Sequence, residues 1–362
     1  MNVAFYAPLK APDHPVPSGD RLMARMLVAC LQRAGHRVTV ASDLRAYLGR
    51  ADDVAGWSAL QTAAQAECER LAQGWAGAVP DLWFAYHPYY KSPDLIGPAL
   101  AQRFGLPYVT CEASYSTRRN LGIWAEMQAL MLDMVKGAAL NLCLTGRDRA
   151  GLLAAAPKAR VARFPPFIDT SPFSRDPAPE PGHLVTVAMM RGGDKLQSYR
   201  LLAAALKLMP EGLPWRLSVA GDGPERAEVQ ALFAGLAPGR ITWLGLLPRE
   251  GVAELLSRAA VYVWPGCGEA YGLAYLEAQA AGVPVVAQAV AGVPEVVTDG
   301  LTGCLAPEGD ALALARAMTA LLTDAGLQAR MANAARLRVR DQHEIKGAAL
   351  RLDQLLQGVV RR

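Results

Sequence analysis

Charge is scarce in this sequence. Only 19% of its 362 residues are Asp, Glu, Lys or Arg, and the formal net charge is +4. That is far from the dense basic patch nucleic-acid binding demands, so no nucleic-acid partner is expected. No uninterrupted apolar stretch of about 18–20 residues is present, the length that spans a bilayer. The start, MNVAFYAPLK, has neither a basic region nor a long apolar run, so no signal peptide is expected. The six cysteines, Cys30, Cys68, Cys111, Cys143, Cys267 and Cys304, contain no C-x-x-C pair. This argues against a structural zinc site and against a disulfide framework; reduced thiols in a cytoplasmic protein are expected. Neither G-x-G-x-x-G nor G-x-x-x-x-G-K-[ST] occurs, which removes the dinucleotide fingerprint and the P-loop and leaves an oxidoreductase unsupported. No repeat with a period of about 20–50 residues is visible.

What charge there is falls unevenly. Residues 1–172 hold 18 basic against 14 acidic side chains, and residues 173–362 hold 19 of each. A weakly basic first half suits an anionic substrate or peripheral contact with an anionic lipid surface at the inner face of a membrane. A solvated surface with scattered charge accounts for the same numbers.

Short apolar runs alternate with helical patterns throughout. NVAFYAP, RVTVAS, DLWFAYH, LPYVTCEAS and LNLCLTG read as strands in the first half, with a long amphipathic stretch from Leu44 to Gly77 after the second. FPPFIDTSPFSRDPAPEPGH, residues 164–183, is too rich in proline to continue a helix or a ladder and reads as a linker. The alternation then restarts with LVTVAMM, WRLSVAG, ITWLG, AVYVWP and PVVAQ, and ends in two or more helices from Leu312. This pattern predicts an α/β protein of two Rossmann-like, doubly wound parallel-sheet domains facing across a cleft. The first covers residues 1–170 and the second 182–342; a C-terminal helix at about 343–362 is placed to pack back on the first.

Ligands of such sheets bind beyond the carboxyl ends of the strands. There, MRGGDK sets Arg191 and Lys195 around a Gly-Gly turn that leads into a helix, an arrangement suited to phosphate oxygens or simply an exposed basic turn. Gly221 opens the tight turn DGPE, mainly a device of the fold. PGCGEAYGLAYLEAQAAGVPVV carries Glu269 in a glycine-rich loop and Glu277 in the helix after it. Interior carboxylates are costly unless something binds them. A favourable early-turn acid explains Glu277 alone, worth ~0.3–1 kcal/mol; both glutamates suit hydrogen bonds from sugar hydroxyls.

EAYGLAYLE, with AAGVPVVAQAVAGVPEVVTDGLTGCLAPEGD, VAGDGPE, ITWLGLLP and LSRAAVYVWP, resembles the retaining GT-B glycosyltransferases of the glycosyltransferase 4 type. The likeness runs from about Leu184 to Asp310, and RFPPFIDTSPF, with Asp169 and Phe173, is similar to that family's passage into its second domain. The resemblance implies that Glu277 holds ribose hydroxyls and Glu269 the donor sugar. Arg191 and Lys195 would bind the diphosphate, assisted by backbone near Tyr271, Gly272 and Leu273, while Leu246 and Gly221 lie toward the nucleotide. It implies no metal and no cofactor beyond a UDP- or GDP-linked sugar as co-substrate. The first half resembles the family less. Its acceptor-side glycine matches Gly19 in PSGD, where Ser18 or Asp20 equally caps a helix, and Glu112 in VTCEAS stands where many relatives carry histidine. His87, in AYHPYY, and Arg118 are further acceptor-side candidates.

Together these point to transfer of a sugar from a nucleotide-diphosphate donor to a hydroxyl of a carbohydrate, lipid-linked or small-molecule acceptor, with retention, in polysaccharide or glycolipid synthesis. The alternatives are a hydrolase or epimerase using the two glutamates as acid and base, and a nucleotide-sugar binding protein without transfer.

Overall fold

The computed structural model describes residues 1–75 and 77–360. The chain divides into two compact units. One is Met1–Pro165 with the segment from Ile345; the other is Pro166–Glu344.

The first unit runs β1 (Asn2–Tyr6), α1 (Gly19–Arg33), β2 (Arg37–Ser42), α2 (Val54–Gly74), β3 (Leu82–Tyr86), α3 (Gly97–Phe104), β4 (Tyr108–Cys111), α4 (Ile123–Gly137), β5 (Leu140–Cys143), α5 (Gly146–Ala155) and β6 (Val161–Arg163). Its strands form one parallel sheet in the order β2-β1-β3-β4-β5-β6. All five residues of β3 are buried, because a central parallel strand is covered on both faces and reads as a continuous apolar run. Trp83, Tyr6, Phe5 and Phe84 are among the largest fully buried side chains.

The second unit runs β7 (His183–Val187), α6 (Asp194–Lys207), β8 (Arg216–Ala220), α7 (Arg226–Leu232), β9 (Ile241–Gly245), α8 (Arg249–Ser257), β10 (Val261–Val263), α9 (Leu273–Ala280), β11 (Val285–Gln288), β12 (Gly303–Ala306), α10 (Ala311–Thr323) and α11 (Ala325–Arg338). Its parallel sheet has the order β12-β11-β10-β7-β8-β9. Tyr199, Tyr262 and Tyr275 fill its core. The last helix, α12 (Ile345–Val360), packs on α1 of the first unit, where His36 Nε2 lies 3.3 Å from Asp353.

Each sheet holds one strand more than the sequence pattern gives. β6 and β12 are edge strands that are only partly covered, so neither needs a sustained apolar run, whereas β10, as short as β6, is buried throughout and carries one. The stretch from Leu44 is not helical until Val54, where the Asp53 carboxylate accepts from Gly56 N at 2.9 Å and starts α2. The proline-rich residues are laid onto the second unit by their remaining amides: Ile168 N bonds His343 O, Ala178 N bonds Ser257 O and Glu180 N bonds Arg258 O. Among the described residues no helix is long and apolar enough to cross a membrane.

Candidate donor and acceptor sites

In each unit the strand order reverses beside the first strand of its sheet: between β7 and β10 in the second unit, and between β1 and β3 in the first. In open parallel sheets the loops leaving such strand ends diverge, and ligands bind in the crevice between them.

In the second unit the β7 loop carries Arg191 and enters α6 at Asp194, so Lys195 is the second residue of that helix. The β10 loop lies across the first turns of α6. Cys267 N donates to Ser198 Oγ at 2.9 Å, and that hydroxyl donates to Asp194 O at 2.8 Å. Gly268 has a φ of +64°, and a Cβ there would run into the Asp194 carboxylate, so only glycine lets the loop lie this close. The result is a direct ion pair: Lys195 Nζ donates to Glu269 Oε2 at 2.6 Å. Trp264 Nε1 donates to the same oxygen at 3.4 Å, and the ammonium lies 5.3 Å from the Trp264 ring centre. The side chains are 35% and 21% exposed, so both are open to a ligand.

Gly272 precedes α9 with a φ of +80°, and Leu273 is the first helical residue, so the free amides of that end point out of the loop. Tyr271 beside them is buried. Glu277 follows in the second turn, half-buried. Burial pushes its carboxyl up to about 7, against the opposing charge of Arg249. Arg249, the first residue of α8, was not singled out from the sequence. Its guanidinium donates to Asp169 O at 2.8 Å, approaches the Asp169 carboxylate at 3.7 Å, and lies 5.8 Å from the Phe173 ring. Thus Asp169 and Phe173, quoted only as part of a family pattern, hold the cation that faces Glu277. Gly221 closes β8 against β7; with a φ of +148°, any Cβ would strike Ala188 O. Leu246, just past β9, is 61% exposed, an apolar surface at the same sheet edge.

In the first unit Asp20 is the second residue of α1, after β1, and His87 follows β3. His87 Nδ1 lies 3.0 Å from Asp20 Oδ1. Ser18, not Asp20, caps α1, accepting from Arg21 N at 3.2 Å. This leaves the Asp20 carboxylate for the imidazole, and a Cβ at Gly19 would meet nothing within 4 Å. Glu112 follows β4 and is buried; its carboxyl hydrogen-bonds Tyr86. Asp148, in α5 after β5, adds its charge to the group. Burial opposes a charged His87, but the charge of Glu112 and the hydrogen bond and charge of Asp20 outweigh it, lifting the imidazole to about 9. Burial raises Glu112 and the His87 charge lowers it, leaving it at about 7. His87 and Glu112 have φ of +56° and +62°, sparsely populated for non-glycine residues. Arg118 stands apart from this cluster, exposed in a short 3-10 turn, Thr117–Arg119. Asp148 carries no sequence signal of its own and Asp20 reads in the sequence only as a helix cap; the topology brings them to His87 and Glu112.

Comparisons with known proteins agree with this architecture. The family description "Glycosyl transferases group 1" matches residues 182–324, within the second unit. The D-inositol 3-phosphate glycosyltransferase of Kribbella flavida is 40% identical over 144 residues, 38% of this chain and 34% of that protein, so the chain matches only a third of that relative's length. The alpha-D-kanosaminyltransferase of Streptomyces kanamyceticus is 30% identical over 276 residues, 70% of this chain and 69% of the other. The solved sucrose-phosphate synthase of Thermosynechococcus elongatus aligns with a TM-score of 0.79 at 22% identity over 99% of both chains, a likeness of fold. The two-unit architecture is GT-B, and the chain belongs to the glycosyl transferases group 1 family.

Proposed function

We propose that the protein moves a sugar from a UDP- or GDP-linked donor to an acceptor hydroxyl, with retention at the anomeric carbon and without a metal ion. The observation that carries this is the Lys195–Glu269 pair at the β7/β10 reversal. An ammonium has three N–H donors. One is spent on Glu269, and two remain for the oxygens of a diphosphate. A single side chain then ties the carboxylate that reads the donor sugar to the group that departs. Arg191 and the free amides at the start of α9 supply further donors, and Glu277, steadied by Arg249, accepts from ribose hydroxyls. Leu246 and Gly221 lie toward the nucleotide.

In the step itself the bond from C1 to the diphosphate oxygen breaks and its electron pair leaves on the diphosphate. The acceptor oxygen bonds C1 on the same face, and the acceptor proton leaves on the departing phosphate. Lys195 and Arg191 offset the charge that grows there. The first unit contributes the acceptor side, with Glu112 and His87 as its titratable groups and Gly19 leaving space before α1.

The test is a thermal-shift panel of nucleotides and nucleotide sugars, followed by turnover with whichever donor binds. A ligand at 100 times its Kd adds about 2.7 kcal/mol to stability. Lys195→Gln should lower turnover by about 10²–10³-fold, Glu277→Ala should weaken nucleotide binding, and chelators should leave the rate unchanged. The product anomer, read by NMR, checks retention. If no UDP- or GDP-sugar binds and Glu277→Ala alters nothing, the reading is wrong. Sugar release to water with no transfer to any acceptor would make it a hydrolase instead.

A further inference from the structure

Three loops at the carboxyl edge of the first unit's sheet are locked into one platform. Leu48 N donates to Lys91 O at 2.9 Å, Trp124 Nε1 donates to Leu48 O at 3.1 Å, and Ile123 N donates to Ala51 O at 2.9 Å. Beneath them lies a small apolar core separate from that of the sheet, built from Ala46, Leu48, Trp57, Leu60, Ile123 and Met127. Gln128 pins the turn that carries Arg119, donating to Ser116 O at 2.8 Å and accepting from Ser116 N at 3.2 Å.

The platform displays a continuous run of rings beginning at His87. His87 stacks on Tyr89 at 5.1 Å, Tyr89 meets Tyr90 at 5.3 Å, and Tyr90 meets Trp124 at 5.3 Å. Cations rest on this run: Lys91 Nζ is 4.4 Å from the Trp124 ring centre, and Arg119 Cζ is 5.5 Å from that of Tyr90. Arg45 lies 4.6 Å from the Tyr47 ring, near enough to Tyr89 for its charge to act there. Elsewhere in this unit Arg50, Arg70 and Arg103 close onto Asp52, Glu67 and Glu69. Lys91, Arg119 and Arg45 form no ion pair among the described residues. The Asp20 carboxylate nearby is committed to His87.

Fixing three like charges on one rigid surface costs repulsion and side-chain freedom unless a counter-charge arrives. Aromatic faces hold the cationic heads in place without neutralising them. Half-buried tyrosine and tryptophan rings also fit the apolar face of a sugar. We infer that the Tyr90–Lys91–Trp124–Arg119 platform is an acceptor subsite for a sugar ring bearing an anionic substituent, a phosphate or a carboxylate. This rests on the transferase reading for the word acceptor, not for the binding.

The test uses the full chain and three probes of matched ring: glucose, glucuronate and glucose 6-phosphate, with binding measured by ligand-observed NMR. At low salt one or both anions should bind at least about tenfold more tightly than glucose. The preference should fade toward about 1 M salt, where charges are screened beyond roughly 3 Å. The tighter of the two anions identifies the substituent. Lys91→Gln with Arg119→Gln should abolish the preference while leaving glucose binding, the thermal midpoint and nucleotide binding unchanged, and Arg119→Lys should restore part of it. Equal binding of all three sugars, no binding of either anion, or a preference that survives the double substitution overturns the inference. If no nucleotide sugar binds while the anion preference stands, the transferase reading fails and the subsite remains.

Discussion

The two units place an ion pair at the same topological position with the signs exchanged. In the second unit the second residue of the helix after β7 is Lys195, and it reaches Glu269 in the loop after β10. In the first, the second residue of the helix after β1 is Asp20, and it reaches His87 after β3. An acid in a helix's first turn is favoured by the positive dipole end, whereas a lysine there works against it by ~0.3–1 kcal/mol. Asp20 is thus where a helix wants it, and Lys195 is where a helix does not. Asp194, the first residue of the same helix, and Glu269 both offset the Lys195 charge, so an anionic ligand is met by the remaining N–H donors of the ammonium and by the free helix amides rather than by an excess of positive charge. The backbones differ in the same sense. In the loops at the strand-order reversal of each sheet and beside it, the second unit reaches positive φ at Gly221, Gly268 and Gly272, and the first reaches it at His87 and Glu112. One crevice is shaped by close-lying backbone, the other by side chains held in strain.

The sharpest way to break the second unit's half of this comparison is Gly268→Ala. The added methyl meets the Asp194 carboxylate, and alanine at a φ of +64° is itself strained. The loop must lift, and Glu269 moves with it away from Lys195. Displacing a positioned group by about 1 Å costs about 10²-fold in rate, so turnover should fall by that much, with a stability loss of about 1–3 kcal/mol. Normal turnover in Gly268→Ala would show that the pair does not depend on this close approach.

The first unit's half is tested by pH. His87 titrates at about 9 in the folded chain against 6.5 for an ordinary histidine. The stability its charge contributes is therefore full below pH 6.5 and lost as pH rises through about 9. Asp20 is shifted the other way: burial alone would raise it, but the hydrogen bond and charge of His87 hold its carboxyl below the usual range. Its share is present above that range and lost on acidification. Asp20→Asn should lower the His87 midpoint, read by NMR, and flatten the fall in unfolding free energy between pH 6.5 and 9 by on the order of 1 kcal/mol. Glu112 keeps part of the shift, so the effect is partial. An unmoved His87 titration would mean that Asp20 is a neighbour and not a partner.

Legibility in the sequence follows the same divide. The five strongest strands of each sheet, the fold class and the contiguous motif around Glu269 and Glu277 were readable because their signals are local runs or fixed spacings. The edge strands β6 and β12 were not, because a partly covered edge strand needs no continuous apolar run, while β10 is as short as β6 but wholly buried. Lys195 and Glu269 are 74 residues apart, and Asp20 and His87 67 apart, so neither pairing is written in any window of sequence. Arg249 was passed over because nothing at its own position distinguishes it from a surface arginine; its meaning comes from Asp169, Phe173 and Glu277 around it. Positive φ is announced by glycine at Gly268, and nothing announces it at His87 or Glu112.

That last point gives the smallest and cleanest expected effect. If Glu112 is held in the left-handed region for the sake of its carboxyl, then removing the side chain should expose the backbone cost by itself. Alanine keeps the Cβ that disfavours this conformation and glycine does not. Both substitutions remove the same buried carboxylate, the same hydrogen bond to Tyr86 and the same charge facing His87. Their difference is the strain relieved less the extra freedom glycine has in the unfolded chain, about 0.4–1 kcal/mol, so Glu112→Gly should be more stable than Glu112→Ala by up to about 1 kcal/mol. The two should lose turnover equally, since neither keeps the carboxyl whose charge acts on His87. Glu112→Gly less stable than Glu112→Ala by about 0.4–1 kcal/mol, the unfolded-state cost of glycine alone, measured by denaturant unfolding with unchanged slope, would show that residue 112 stores no strain. The side chain would then be there for packing, and the contrast between a backbone-shaped and a side-chain-shaped crevice would rest on His87 alone.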